Sequence, residues 1–438
     1  MNKKVTNPRQ VALDILQDVF YQGAYSNLSL HKFLGSSNLS TEDRSFVTEL
    51  VYGTVARKMT LEWYLAHYIE DRDKLEAWVY TLLLLSLYQL EYLDKIPAHA
   101  VVYEAVEIAK SRSKKGADRL VNAVLRKIQS QGLPDISSIK RVNKRLSIQY
   151  STPVWLVKEL IEQFGQERAE LILESLFLRS KVSMRVVHPQ DREVLAEELD
   201  ADFSLLSYVG LLKSKGQVAS HPRFLLGDLT LQDETSQMVA PTLNLQGDER
   251  VLDACAAPGG KTCHIASYLK EGVVTALDLY DHKLRLIEEN AERLGVADRV
   301  QTQRVDARLV ADHFGPDSFD KILVDAPCSG IGLIRRKPDI KYNKENGDFA
   351  ALQAIQLEIL DSVCQTLIKG GIITYSTCTI FEQENFEVVK AFLESHPNFE
   401  QVPLTHPEKA IVVDGCLLVT PELYSSDGFF ISQFRRVR

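Results

Sequence analysis

Two cysteines and an aspartate stand at the ends of apolar segments in the second half of the chain. Asp325 and Cys328 follow the segment 321–324, and Cys378 follows the segment 372–375. Both segments are predicted to be central strands of an open α/β sheet, which binds its ligands beyond the carboxyl ends of its strands. One cysteine there would more often be a packing residue. Two cysteines at matching strand ends, one of them three residues after an aspartate, favour a chemical role for the sulfur atoms.

A third loop, residues 253–262 with the sequence DACAAPGGKT, connects a predicted strand to a helix that begins near Gly260. Its small residues would let a ligand touch the backbone, and three kinds of site compete. A phosphate-binding P-loop needs a glycine where Cys255 stands, and a dinucleotide fingerprint needs three spaced glycines, whereas this loop has only Gly259 and Gly260. The third kind is a pocket for S-adenosylmethionine (SAM). The loop by itself leaves these alternatives open.

Two further aspartates lie at predicted strand ends. Asp278 comes eighteen residues after Gly260, where an acidic residue can accept hydrogen bonds from both ribose hydroxyls of an adenosine ligand. NAD and SAM sites both use such a residue, so Asp278 argues against the P-loop alone. A role in capping the helix that follows is the structural alternative. Asp306 ends the next strand and could meet the adenine amino group.

The elements that hold these residues alternate between strand and helix within 232–438, which predicts a Rossmann-like, doubly wound and mostly parallel α/β sheet. Residues 132–231 are predicted to form a linker and a small α/β (RRM-like) domain with a strand at 183–187. Residues 1–131 are predicted to be all helical, and the segment 78–92 is apolar nearly all round, as in a buried central helix. The strands of the large sheet are predicted at 250–254, 273–277, 300–304, 321–324, 372–375 and 429–434, and its clearest helix at 349–367, with Gly370 as the stop.

Composition narrows the class of protein. A chain of 438 residues is long enough for two or three domains. The whole chain has a net charge of −8, but residues 110–145 contain eleven Lys or Arg and only two Asp. This basic strip suggests an anionic partner. Six cysteines without a C-x-x-C pair argue against zinc and against a disulfide framework, so we expect no metal and a reducing compartment. With no signal peptide and no bilayer-length apolar run, we expect a cytoplasmic protein without membrane contact.

The helical segment contains a series of motifs in order: Glu42-Asp43-Arg44, LVYGTV at 50–55, IPAH at 96–99, EAVEIAK at 104–110 and VNAVLR at 121–126. With these motifs the segment resembles the NusB-like RNA-binding domain. The resemblance covers nearly all of residues 1–130 and implies contact with RNA. We predict that Arg119 and Arg126, within the basic strip, take part in that contact.

The loop at 253–262, DAPC at 325–328 and STC at 376–378 resemble the motifs of SAM-dependent RNA cytosine-5 methyltransferases. Taken together with the NusB-like segment, these motifs resemble one family in particular, the bacterial small-subunit ribosomal RNA methyltransferase B family (Sun or Fmu). The resemblance implies SAM as the methyl donor, S-adenosylhomocysteine as the product and a specific cytosine in 16S rRNA as the target. It assigns SAM binding to Cys255, Ala256, Ala257, Pro258, Gly259, Gly260, Lys261, Asp278, Asp306 and Asp325.

Carbon 5 of cytosine is too poor a nucleophile to take a methyl group directly, which explains the need for a thiol. A thiolate that adds to carbon 6 makes carbon 5 reactive enough to attack the methyl group. The resemblance assigns this addition to Cys378, product release to Cys328 and recognition of the N3 and amine edge to Asp325, which if protonated would neutralise charge on N3. Because a thiol is mostly protonated at neutral pH, positive charge from Lys261 or residues 335–337 is expected to activate Cys378.

Basic residues after the DAPC motif are predicted to hold RNA phosphates; they are Arg335, Arg336, Lys337 and Lys341. The expected partner is 16S rRNA, free or in an early small-subunit particle, and the chain is expected to act as a monomer.

Other functions remain open at the level of sequence. The chain could methylate another RNA such as tRNA, or it could be a DNA cytosine-5 methyltransferase with Cys328 as the nucleophile. An NAD dehydrogenase is a third alternative, and a non-catalytic RNA-binding assembly factor is a fourth. The intact set of Asp278, Asp325, Cys328 and Cys378 argues against this last alternative.

Overall fold

The computed structural model describes residues 7–112, 116–216, 218–345 and 347–438. Residues 113–115, which belong to the basic strip, therefore lie outside the described residues. The chain forms two units: a helical unit of Met1–Phe177 with Arg336–Asn343, and an α/β unit of Leu178–Arg335 with Lys344–Arg438. The predicted domain boundaries after residues 131 and 231 stay predictions.

The helical unit confirms the predicted all-helical segment. Ser40 precedes the third helix and its hydroxyl accepts a hydrogen bond from the Asp43 amide, which satisfies one of the otherwise unpaired N–H groups of the first turn. Its helices are Pro8–Tyr21, Ser26–Gly35, Thr41–Ala56, Lys58–Leu65, Ala77–Tyr92, Ala98–Arg112, Ala117–Gln131, Val142–Gln149, Val154–Phe164 and Gln166–Ser175.

Helix Ala77–Tyr92 is the buried centre of this unit, as its apolar sequence predicts. Every residue from Val79 to Gln89 is buried. Gly53 of a neighbouring helix lies so close to the Tyr88 ring that a Cβ atom at Gly53 would overlap it, so a side chain there would have to displace the ring. In the described part of the chain, no helix is both long and apolar enough to cross a membrane.

The α/β unit begins with a small antiparallel sheet in the order β2-β3-β1-β4. Its core joins Met184 and Val186 of β1 to Leu195 of helix Arg192–Leu199 and Leu229 of β4. The strand predicted at 183–187 is found at Val182–Val186, and the small α/β domain predicted for 132–231 stays a prediction. The strands are β1 Val182–Val186, β2 Asp202–Phe203, β3 Gly210–Lys213 and β4 Leu229–Leu231.

The larger sheet of the α/β unit has the order β11-β12-β13-β9-β8-β5-β6-β7, and β10 pairs with β13. Strands β5 to β9 run parallel, whereas β13 pairs antiparallel with β9. Because β6 and β8 lie on opposite sides of β5, the order of strands reverses at β5, where open sheets form a ligand crevice. The strands are β5 Arg250–Asp253, β6 Val273–Asp278, β7 Val300–Arg304, β8 Phe319–Asp325, β9 Leu367–Thr377, β10 Phe399–Gln401, β11 Val412–Val413, β12 Cys416–Val419 and β13 Phe429–Arg436.

Helices of the α/β unit connect these strands, and one prediction about them is wrong. The helix predicted at 349–367 ends at Val363, and β9 already begins at Leu367, so Gly370 lies inside a strand and is not a helix stop. Pairing of Leu367 with Phe319 of β8 draws this segment into the sheet. The helices are Arg192–Leu199, Pro222–Leu225, Glu234–Gln237, Val239–Thr242, Gly260–Ala266, Asp281–Arg293, Val310–Phe314, Asp348–Val363 and Phe386–Ser395.

Candidate active site

The ends of β8 and β9 bring the two cysteines of the predicted site together. The register pairs Asp325 with Ser376, and the Ser376 hydroxyl donates to Asp325 Oδ1 over 2.8 Å. In the loops that follow, the sulfur atoms of Cys328 and Cys378 are 3.1 Å apart, and the Cys378 amide donates to the Cys328 sulfur over 3.3 Å. Both cysteines are half-buried, so neither is sealed inside the core.

The two sulfur atoms do not have the same surroundings. Contact with the Cys378 sulfur, and secondly burial, hold the pKa of the Cys328 thiol well above its ordinary value. Cys328 is therefore a thiol at neutral pH, and its S–H can donate to the Cys378 sulfur. The two sulfur groups of the site are therefore in direct contact.

Lys261 and Asp325 form an ion pair beside the cysteines. The Lys261 ammonium donates to Asp325 Oδ2 over 2.7 Å and lies 5.1 Å from the centre of the Phe429 ring. Burial opposes the positive charge, but the Asp325 carboxylate outweighs it and raises the Lys261 pKa, with a smaller contribution from the Cys378 sulfur. Lys261 is thus a fixed positive charge within electrostatic range of Cys378.

Asp253, the last residue of β5, is buried and was not among the predicted site residues. Asp253 is 1% exposed, and its Oδ2 accepts a hydrogen bond from the Thr262 hydroxyl over 2.7 Å. Burial raises the pKa of Asp253 to about 7. An acidic residue directly after the apolar pair Val251-Leu252 was the signal that could have identified it, since aspartate is rarely buried without a partner.

The loop that follows β5 has a fixed backbone. The Ala256 amide donates to the Leu277 carbonyl over 2.9 Å, and the Asn290 side chain donates to the Pro258 carbonyl over 3.0 Å. Gly259 has a φ of +98°, and a Cβ atom there would lie 3.0 Å from the Ile287 Cα, so only glycine suits this position. The loop therefore presents a rigid surface of small residues next to the end of β6.

Asp278 and Asp306 lie at the ends of β6 and β7, as predicted. Asp278 Oδ1 accepts from the Tyr280 amide over 3.1 Å, and the helix begins only at Asp281, so Asp278 orders the turn before the helix. Asp306 forms an ion pair with Arg308 at 2.7 Å, and hydrogen bonds from Arg308 lower the Asp306 pKa. An adenine amino group would therefore share the Asp306 carboxylate with Arg308.

The charges around this loop fit a positively charged ligand. Cys255 lies in the middle of the loop, and its pKa is raised first by burial and then by the negative charges of Asp253, Asp325, Asp278 and Asp306. All four carboxylates therefore raise the pKa of the same thiol, that of Cys255. The sulfonium and amino groups of SAM are both cationic, so the donor set present here is compatible with SAM.

The basic residues that follow the DAPC motif do not share one environment. Arg335 is 9% exposed and donates to the Pro421 carbonyl of the α/β unit. Lys341 is 1% exposed, and its ammonium donates to the Ala56 carbonyl over 2.7 Å inside the helical unit. The predicted phosphate contacts of Arg335 and Lys341 are therefore wrong for this structure, because both side chains are enclosed by protein. Lys337 is exposed and Arg336 is half-buried.

The segment 336–343 is packed into the helical unit by polar as well as apolar contacts. The Ser26 hydroxyl donates to Asp339, and the Tyr342 hydroxyl is 2.9 Å from the Ser151 hydroxyl. Lys341 also lies 5.7 Å from the centre of the Phe177 ring. Burial, and secondly the charge of Arg57, lower the Lys341 pKa to about 7. Arg119 and Arg126, in contrast, are exposed on the same unit and stay predicted RNA contacts.

Replacing Lys341 with methionine is expected to remove a pH dependence from the stability of the helical unit. Between about pH 7 and the ordinary lysine value the unfolded chain holds one more proton than the folded chain, so the free energy of unfolding should rise with pH by up to about 1.4 kcal/mol per unit. The variant should lack this rise. Urea unfolding followed by tryptophan fluorescence measures it, because all three tryptophans, Trp63, Trp78 and Trp155, lie in the helical unit.

Lys337→Met is the matched control, since Lys337 is an exposed lysine of the same segment. It should keep the pH dependence of the wild type from about pH 7 to pH 9. If wild type and Lys341→Met unfold with parallel pH profiles, the ammonium of Lys341 is not desolvated as described.

Comparisons with known proteins agree along the whole chain. Residues 240–435 match the family model described as 16S rRNA methyltransferase RsmB/F, and residues 6–130 match the NusB family. The probable ribosomal RNA small subunit methyltransferase B of Bacillus subtilis strain 168 is 44% identical over 99% of both chains. A protein of the same name from Synechocystis is 31% identical over 98% of this chain and 99% of its own.

A solved structure has the same fold. The crystal structure of PH0851 covers 99% of this chain and 100% of its own with a TM-score of 0.83, at 23% identity. Since a relative more than 40% identical spans nearly the whole sequence, this chain belongs to the ribosomal RNA small subunit methyltransferase B family.

Proposed function

We propose that this member of a SAM-dependent rRNA methyltransferase family methylates carbon 5 of a cytosine in 16S rRNA through a covalent cysteine adduct. The observation that carries the proposal is the placement of two cysteine sulfurs 3.1 Å apart at the ends of β8 and β9. Methyl transfer to a nitrogen or oxygen atom needs no protein nucleophile. A pair of sulfurs in direct contact suits a reaction that first makes and then breaks a sulfur–carbon bond.

In this mechanism Cys378 makes the bond. Its sulfur adds to carbon 6 of the cytosine, and the electron pair of the 5,6 double bond becomes available at carbon 5. Lys261 supports the reactive sulfur electrostatically, and the Asp325 carboxylate, fixed by Lys261 and Ser376, accepts a hydrogen bond from the exocyclic amine of the base. The bound SAM supplies the methyl group.

Cys328 serves the release of the product. After carbon 5 carries the methyl group, a water molecule takes its proton. The electron pair of that C–H bond restores the 5,6 double bond as the bond between carbon 6 and the Cys378 sulfur breaks. The departing sulfur is a better leaving group when a proton donor is close, and the Cys328 thiol is held protonated at 3.1 Å. Cys328 is then ready to be reprotonated from solvent, since it is half-buried.

We propose that SAM occupies the crevice lined by the loop from Cys255 to Lys261. Asp278 would accept the ribose hydroxyls and Asp306 would lie near the adenine amino group, as the family resemblance implies. The charges of four surrounding carboxylates support a cationic ligand at this place. For RNA, the proposed phosphate contacts are the exposed Arg119, Arg126 and Lys337 of the helical unit, together with Arg336, which precedes Lys337 in the chain.

The target base must leave its stack to reach the cysteines, which costs a few kcal/mol and is cheapest for an unpaired base. The proposed partner is therefore an exposed cytosine of 16S rRNA, either free or in an early small-subunit particle. The chain is proposed to act as a monomer.

Methylation with purified full-length protein tests the proposal. Unmodified 16S rRNA, early small-subunit particles and tRNA are incubated separately with SAM, and bisulfite sequencing then identifies each protected cytosine. One protected cytosine in 16S rRNA, dependent on SAM and missing from tRNA, is expected. Methylation of a different base or atom, or no transfer to any of the three substrates, would refute the proposal.

A further inference from the structure

Two consecutive polar residues after β9, Glu384 and Asn385, have no role in the mechanism above although both are completely buried. Each is 0% exposed. Glu384 ends the short 3-10 turn Glu382–Glu384, and Asn385 comes directly before helix Phe386–Ser395. A buried carboxyl or amide group costs free energy unless it is hydrogen-bonded, so the partners of these two side chains indicate what they are for.

The Glu384 side chain contacts the loop of Cys328. Its Oε1 accepts a hydrogen bond from the Ser329 amide over 2.7 Å and another from the Gln356 side chain over 3.2 Å. The same Gln356 amide group donates to the Pro327 carbonyl over 3.0 Å. Glu384 and Gln356 therefore fix the peptide groups on both sides of Cys328.

The Asn385 side chain contacts the loop of Cys378 in the same manner. The Thr377 hydroxyl donates to Asn385 Oδ1 over 2.6 Å, and Asn385 Nδ2 donates to the Thr379 carbonyl over 3.1 Å. Both neighbours of Cys378 are thus held by one side chain. Because Asn385 uses its acceptor and its donor at once, no other residue type of similar size could replace it fully.

The backbone of this pair is itself anchored to β9. The Tyr375 hydroxyl donates to the Glu384 carbonyl over 2.7 Å, and Tyr375 is completely buried. A direct contact also joins the two cysteine loops, from the Ser329 hydroxyl to the Thr379 hydroxyl over 3.0 Å. One rigid dipeptide thereby reaches both loops, and the distance between the two sulfurs depends on it.

We propose that Glu384 and Asn385 are positioning residues that set the separation of the two reactive cysteines, with Glu384 acting on Cys328 and Asn385 on Cys378. The inference rests on the proposed function for its kinetic consequences and on geometry alone for the position of the sulfurs. Loss of Asn385 should impair the step that Cys378 performs, and loss of Glu384 should impair the step that Cys328 performs.

Single-turnover kinetics separate the two steps. Asn385→Ala is expected to slow formation of the covalent RNA adduct by about 10-fold or more, because small displacements of a nucleophile are costly. Glu384→Ala should form the adduct at nearly the wild-type rate but release it about 10-fold more slowly or worse, so that adduct accumulates on a denaturing gel. Glu384→Gln keeps an oxygen acceptor for the Ser329 amide and should restore most of the release rate. A merely destabilised fold would slow both steps together and would not be rescued in this way.

A second measurement, the rate at which Cys328 and Cys378 are cross-linked by an oxidant, reports the distance between the two sulfurs and does not depend on catalysis. Diamide oxidises two adjacent thiols to a disulfide and takes up their two electrons and two protons as it becomes a hydrazine. Cys328 and Cys378 should be cross-linked rapidly in the full-length wild type and several-fold more slowly in Asn385→Ala and Glu384→Ala. Glu394→Gln, an exposed glutamate on the following helix, is the control and should behave as wild type in both assays.

The outcomes distinguish the inference from the proposed function. If wild type methylates no cytosine while both alanine variants slow the cross-linking, the proposed function fails and the positioning role stands. If both alanine variants cross-link at the wild-type rate, the positioning role is refuted, whatever the activity of the wild type. If the variants slow cross-linking but Asn385→Ala impairs release and Glu384→Ala impairs addition, the assignment of each residue to its cysteine is wrong.

Discussion

Cys378→Ala is expected to lower methyl transfer to 16S rRNA by at least about 10³-fold and to abolish the covalent adduct. Without the sulfur there is no group to add to carbon 6, and carbon 5 stays too weak a nucleophile to accept a methyl group. Initial rates with tritiated SAM measure the first effect. A denaturing gel of protein incubated with 16S rRNA and SAM measures the second.

Cys364→Ala is the control for this loss. Cys364 is a buried free cysteine after helix Asp348–Val363, and its sulfur donates a hydrogen bond to the Asp361 carbonyl over 3.3 Å. That variant should retain activity within a few-fold of wild type. SAM binding and tryptophan-detected unfolding of Cys378→Ala should also be unchanged. A Cys378→Ala protein that methylates near the wild-type rate would exclude Cys378 as the nucleophile.

Cys328→Ala should have the opposite signature, in which the adduct persists. Addition by Cys378 remains possible, but the thiol that donates a proton to the departing sulfur is missing, so release should slow by about 10² to 10⁴-fold, the usual contribution of a positioned proton donor. Incubation with 16S rRNA and SAM should then give a protein band shifted by the mass of the RNA, stable to denaturant. Wild type should show little of this band, because release keeps pace with addition.

The double variant of Cys328 and Cys378 supplies the decisive comparison. It should form no adduct, which would show that the trapped bond in Cys328→Ala is made by Cys378. If the two single variants exchange their behaviour, so that Cys378→Ala traps the RNA, Cys328 is the nucleophile and the roles must be reversed. If neither traps RNA, methyl transfer does not pass through a cysteine adduct.

The asymmetry between the two sulfurs arises from the structure around them. Cys328 receives the Cys378 amide and is fixed on both sides, and its pKa is raised by the neighbouring sulfur and by burial. Cys378 has Lys261 within electrostatic range. The proposal that these two chemically identical side chains perform different steps depends on these different surroundings.

Much of the architecture was determined by local sequence pattern. Alternating apolar segments predicted strands β5 to β9 and β13 to within a few residues, and the all-round apolar segment 78–92 predicted the buried helix Ala77–Tyr92. Strand ends also predicted that Asp325, Cys328 and Cys378 would converge. These features can be predicted from the sequence, because they depend on the periodicity of apolar residues and on the rule that the carboxyl ends of parallel strands meet at one edge of the sheet.

Other features were decided only by tertiary contacts. Gly370 looked like a helix stop but lies in β9, because pairing with β8 begins at Leu367. Lys341 was predicted to contact an RNA phosphate, but it is enclosed by the helical unit, where its ammonium donates to the Ala56 carbonyl. In both cases the local sequence pattern gave the wrong prediction, because contacts with residues far away along the chain determine the structure.

The same reason explains why Glu384 and Asn385 were not anticipated. Along the sequence they are an ordinary polar pair before a helix, and their partners Ser329 and Gln356 lie tens of residues away. The sequence by itself determined which reactive groups this protein has and at which edge of the sheet they meet. Only the folded chain decided how far apart the sulfurs stand and which side chains surround each of them, because distance and burial depend on neighbours that the linear order does not reveal.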